Sequence, residues 1–149
     1  DQRDLDLSIR RQVKMCIRDS VIGKHLHGLA HDWNKAEGVE PLGKWDRFLA
    51  EQFAIFLDRM CNTPAGPESD ATLLDQTTII YGCSNSTTHT NKNYPLVLAG
   101  GRGLGFKHGQ YLKYGEDTPF ANVFATMLEQ TGVTNRFADS TGNLPELLA

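Results

Sequence analysis

Nothing in the 149 residues approaches the run of about 20 apolar side chains that crosses a bilayer as a helix, so no membrane span is expected. Basic charge is not in excess either. Lys and Arg number 15 against 18 Asp and Glu, for a formal net charge of -3. The cations are scattered among acids, which excludes a general nucleic-acid binder, whose Lys and Arg gather on one face. Cysteine is scarce. Cys16, Cys61 and Cys83 show no C-x-x-C spacing, which rules out a zinc knuckle or a thioredoxin-like motif. Small buried thiols are the ordinary expectation for such residues, and a Cys61–Cys83 bridge stays open for an exported protein. There is also no G-x-S-x-G elbow, no G-K-[ST] and no H-E-x-x-H, so the usual signatures of an acyl hydrolase, a P-loop and a zinc protease are missing.

What is present is an ordinary composition, 40% hydrophobic and 22% charged. It suits one soluble globular domain able to bury roughly two-thirds of its unfolded surface. There are no internal repeats and no low-complexity tract. The hexapeptide Met15-Cys16-Ile17-Arg18-Asp19-Ser20 reads as the translation of a transposon mosaic end used in preparing sequencing libraries, and is set apart from the fold. Residues 1–20 are therefore expected to be a misjoined or artefactual segment. Residues 21–149 are expected to be the C-terminal part of one α/β domain. Within the first segment, Leu5, Ile9 and Val13 form a narrow stripe on a polar helix over Asp4 to Val13.

From Val21 to Pro41 the mixture of Gly, His, Asn and charge has little periodicity and reads as an ordered loop or site segment. Trp45, Phe48, Leu49, Phe53, Phe56, Leu57 and Met60 then fall at helical spacing, with charged residues on the opposite face. Asn62 to Pro67 ends that helix. Thr77-Thr78-Ile79-Ile80-Tyr81 and Pro95-Leu96-Val97-Leu98-Ala99 read as two buried strands, separated by the polar stretch Ser84 to Asn93. A glycine-rich turn follows, then a loop or hairpin over Lys107 to Tyr114 with a short strand around Tyr111. Thr118 and Pro119 are placed as N-cap and first residue of a helix whose apolar stripe is Phe120, Val123, Phe124, Met127 and Leu128. Gly132 is its C-cap. Helices alternating with buried strands give an α/β layer fold, and two or three strands are few for an independent sheet.

The candidate chemistry lies in the histidines. His25, His27 and His31 cluster, with Asp32 beside the last, and His89 sits in the polar loop that leaves the first strand. Ligands in open α/β sheets bind at the carboxyl ends of strands, and imidazole with carboxylate suits a divalent metal such as zinc or manganese. Each histidine taken alone reads as a surface or hydrogen-bonding residue; His27, His31, His89 and Asp32 together form the candidate metal site. Gly100-Gly101-Arg102-Gly103-Leu104-Gly105 looks like a phosphate cradle, but no helix opens immediately after it, so a structural turn is expected. Ser84, Ser86, Thr87 and Thr88 read as loop hydroxyls, so no catalytic nucleophile is assigned.

Several segments in order carry a resemblance. They are His27-Gly28-Leu29-Ala30-His31, Glu51-Gln52-Phe53-Ala54-x-Phe56-Leu57 and Leu73-Leu74-Asp75-x-Thr77. Tyr81-Gly82, His89, Tyr94-Pro95-Leu96-Val97-Leu98-Ala99-Gly100-Gly101, Lys107-His108-Gly109 and Phe137-x-Asp139-Ser140-Thr141-Gly142 follow. The series resembles the C-terminal third of a bacterial family called domain of unknown function fifteen-fifty-two, over about Val21 to Ala149. The resemblance implies kinship with the alkaline phosphatase and sulfatase superfamily. It further implies a three-layer α/β/α sandwich, export to the periplasm or beyond, and a metal site at the strand ends. The sequence departs from the family in the Ser84–Asn93 loop, which holds one His and no carboxylate where members often carry an Asp and a second His. The superfamily's nucleophile would lie upstream. Two functions follow as expectations: a metal-dependent hydrolase of a small phosphate or sulfate ester, or a non-catalytic exported binding or assembly protein that keeps the fold. Either needs the N-terminal part of the same protein, so the 149 residues alone are expected to be inactive.

Overall fold

A computed structural model of the chain describes residues 26–83, 89–93 and 95–149. The hexapeptide, the Asp4–Val13 helix, His25, Cys16 and the Ser84–Thr88 hydroxyls lie outside the described residues. The chain divides into two compact units, one ending at Ala54 and the other running from Ile55 to Ala149. Each is taken by itself.

In the first unit, helix α1 spans Leu26–His31 and helix α2 starts at Ala36, running on to Cys61. The segment read as an ordered loop or site segment down to Pro41 is thus largely helical from Leu26. Weak apolar periodicity hid the helix from that reading, and proline does not prevent it. Pro41 is the sixth residue of α2, where its missing N–H forfeits only the bond to the Glu37 carbonyl while the rest of the ladder continues. The turn between the helices is tight: Lys35 N–H donates to Asp32 O at 2.9 Å and Gly38 N–H to Lys35 O at 2.9 Å. Gly38 is buried, and a Cβ there would lie 1.9 Å from Asp32 O. Only glycine lets the first turn of α2 approach that carbonyl. Leu29, 1% exposed, is the buried anchor of α1.

The end of α2 agrees with the sequence reading. The Asn62 side chain donates to Asp58 O at 2.8 Å and Thr63 Oγ1 to Arg59 O at 2.7 Å, which satisfies carbonyls the helix would otherwise leave open. Pro64 follows. Thr72 and Asp75 then close a turn reciprocally. Thr72 N–H and Oγ1 both donate to Asp75 Oδ2, at 2.9 and 2.8 Å, and Asp75 N–H donates back to Thr72 Oγ1 at 3.2 Å.

Strand β1, Thr78–Gly82, pairs antiparallel with β2, Leu96–Gly100, in an unbroken register from Thr78 opposite Gly100 to Gly82 opposite Leu96. The described residues form this one two-stranded sheet, and the fold is a mixture of helix and strand. Burial differs from expectation. Both strands are only half covered, and Leu96 and Val97 stand exposed because nothing among the described residues lies over that end of the hairpin. The Tyr111 strand is also absent. Lys107 N–H is taken by Leu147 O at 2.9 Å and the Gln110 side chain by Glu146 O at 2.6 Å, so residues 107–114 run irregularly along the C-terminal tail, and Tyr111 is 88% exposed.

Helix α3, Ala121–Gln130, begins later than the Thr118–Pro119 placement. Thr118 N–H is spent on Gly115 O in a preceding turn, and Pro119 O accepts from Asn122 N–H, so the chain tightens through one turn before the regular helix starts. Its end is as expected. Gly132, at φ 84, donates to Glu129 O at 2.9 Å, and Val133 N–H to Leu128 O at 3.0 Å, the paired closure in which glycine takes the left-handed position. The core of this unit is Phe106, Leu144 and Leu147, with Leu98, Leu104, Val123 and Met127 packed against it. Cys61 and Cys83 are exposed, not buried, and no bond joins them.

Candidate functional site

Histidines four apart on a helix stand one above the other on the same face, and α1 does this with His27 and His31. Their ring centroids are 4.6 Å apart at an interplanar angle of 67°. Both are exposed. Asp32 follows immediately where the helix ends, and its Oδ1 accepts from Lys35 Nζ at 2.6 Å. That hydrogen bond, reinforced by the carboxylate charge, raises the Lys35 ammonium above its ordinary pKa. The structure thus brings His27 and His31 together on α1, with Asp32 the next residue along the chain.

His89 belongs to the second unit. It lies in a turn of the connection between β1 and β2, exposed, with a left-handed backbone at φ 56 that non-glycine residues seldom adopt. The connection leaves the carboxyl end of β1, where the sequence placed it. Among the described residues no group of three or more His, Cys, Asp or Glu is arranged to hold a metal ion.

His108 has a different task. Its Nε2 is 2.6 Å from Gly100 O, so the imidazole fastens the glycine turn to the segment that follows. That turn is structural. Gly101 N–H donates to Leu74 O and Gly103 N–H to Asp75 O, each at 2.8 Å, while the amides of Leu104, Gly105 and Phe106 close on the turn itself. An anion cradle needs those N–H groups pointing outward and unspent. Arg102 completes the arrangement by lowering the Asp75 pKa, after the larger effects of the Thr72 backbone and hydroxyl bonds.

The sequence reading passed over one feature. Asn122, Thr126 and Glu129 make a polar stripe on α3 that receives the tail. Thr141 N–H donates to Asn122 Oδ1 at 2.9 Å, Leu144 N–H to Thr126 Oγ1 at 2.8 Å, and the Asn143 side chain to Glu129. Thr141, Asn143 and Leu144 are thus a docking segment. Beside it lies an open cleft of about 550 Å³ bordered by Glu129, Arg136, Ser140, Thr141 and Asn143. The signal available in advance was the helical spacing of Asn122, Thr126 and Glu129, polar positions on an otherwise apolar helix.

Among the described residues no helix is long and apolar enough to cross a membrane. No family model, curated protein or solved structure matches the chain.

Proposed function

We propose that the chain is the C-terminal part of an exported protein built as a three-layer α/β/α sandwich like that of the alkaline phosphatases and sulfatases. In this reading the whole protein is a metal-dependent hydrolase of phosphate or sulfate esters. The observation that carries the reading is the pairing of His27 and His31 on one face of α1, with the Asp32 carboxylate at the next position. Two imidazoles supply half of a four-coordinate set for zinc. His89 and the Asp32 carboxylate would be the further donors. A divalent ion bound there would supply Lewis acidity toward the ester oxygen and offset the charge that develops on it. His27 and His31 would hold the ion, and Lys35 fixes the Asp32 carboxylate by its ion pair.

The hairpin supports the incomplete-sheet half of the proposal. Ile79, Ile80, Val97 and Leu98 make near-continuous apolar strands, the pattern of strands covered on both faces. Here they are half open, and a two-stranded hairpin is marginal in water by itself. Neighbouring strands and a helical layer from upstream sequence would cover Leu96 and Val97.

Two measurements test the reading separately. A long sequencing read of the source DNA across the codons for Lys14 to Val21 is expected to lack the hexapeptide and to continue upstream in one frame. A frame that reads as written ends the fragment proposal. Metal analysis of the full-length protein is expected to find stoichiometric zinc or manganese, and His89→Ala to lose ester turnover. No bound metal together with unchanged turnover overturns the hydrolase.

A second reading has its own observation. The Ser84–Asn93 loop holds no carboxylate, and Asp32 already carries an ion pair with Lys35, which suits an exported binding or assembly protein that keeps the fold without catalysis. Specific metal-dependent turnover by the full-length protein disposes of it.

A further inference from the structure

We draw no further inference here: the strongest candidate, the open cleft of about 550 Å³ between α3 and the docked 134–143 segment, offers the exposed Arg136 as its cation, and no buried unpartnered polar group among the described residues lines it to select a ligand.

Discussion

Thr126 holds the C-terminal tail to α3 through a single buried hydroxyl, accepting the Leu144 N–H at 2.8 Å while donating to Asn122 O at 2.7 Å. Thr126 is 0% exposed and Leu144 belongs to the core, so neither group can turn to water instead. Thr126→Val keeps the shape and removes the acceptor. The Leu144 amide is then buried without a partner, which costs about 1–3 kcal/mol. Urea unfolding is expected to show a lower midpoint at unchanged slope, and Thr126→Ser to retain most of the stability. Equal midpoints for Val and wild type would show that the tail is not held by this bond.

The glycine turn gives a second prediction. Gly100 sits at φ 71, and a Cβ there would meet Thr77 O at 2.1 Å and Leu74 O at 2.7 Å. Gly100→Ala therefore combines a left-handed backbone with a collision against two carbonyls. A loss of about 2 kcal/mol or more is expected, since clash and backbone strain add. Gly115→Ala is the control, having nothing within 4 Å of the added methyl. Thermal melts of both variants decide it, with Gly115→Ala expected near wild type.

The ends and kinds of the elements were legible where one local force dominates. The α2 stripe from Trp45 to Met60, the strands within one residue of their ends, and Gly132 as a helix stop all follow from periodicity or backbone chemistry. The start of α2 was hidden because the residues down to Pro41 have little apolar periodicity, and Pro41 itself is a local veto that a long helix can absorb at the loss of one bond. Strand burial was hidden because apolar sequence states what a strand can bury, not what is there to cover it. The docking role of Asn122, Thr126 and Glu129 was hidden because its partners lie 14 to 19 residues away. For the site, the sequence showed His27 and His31 as a cluster in a segment read as a loop, and it is the helix Leu26–His31 that sets their rings together.

Acid sensitivity is expected at the Thr72–Asp75 turn. The bonds from Thr72 N–H and Oγ1, with the nearby Arg102, hold the Asp75 carboxyl below its ordinary pKa. A depressed folded pKa means that the stabilisation is present above the unfolded value of about 3.9 and fades as pH falls through the folded value. Wild type should thus exceed Asp75→Asn in urea midpoint at pH 7, and the gap should narrow steadily below about pH 4. A gap that is constant from pH 7 to pH 3 would show that the carboxylate charge plays no part.

Tyr114 yields a prediction of the opposite sign from most core changes. Its hydroxyl is buried without a hydrogen-bond partner among the described residues, and burial, with the Glu146 charge adding, raises its pKa. A raised folded pKa favours the neutral phenol, so this contribution is full below the unfolded value of about 10 and is lost as pH rises beyond it. Tyr114→Phe removes the unsatisfied group and keeps the ring against the Phe106 cluster. Its urea midpoint at pH 7 is expected to equal or exceed that of wild type. A loss of more than about 1 kcal/mol would show that the hydroxyl is satisfied in solution, by ordered water above all.

The last prediction separates the two functional readings at the level of single side chains. An imidazole ligates a metal only when deprotonated, and each donor removed from a chelate weakens it. In the full-length protein, His27→Ala and His31→Ala should each lower zinc affinity by about tenfold or more, since even partners behind the ligands are worth that much. Lys35→Met bears on Asp32 alone: it removes the ammonium that binds Oδ1, and zinc affinity should hold or rise. If instead Lys35→Met weakens zinc while His27→Ala and His31→Ala leave it unchanged, the helix-end pair is not the site. The ion pair between Lys35 and Asp32 would then be a structural tie of the α1–α2 turn, as the non-catalytic reading requires.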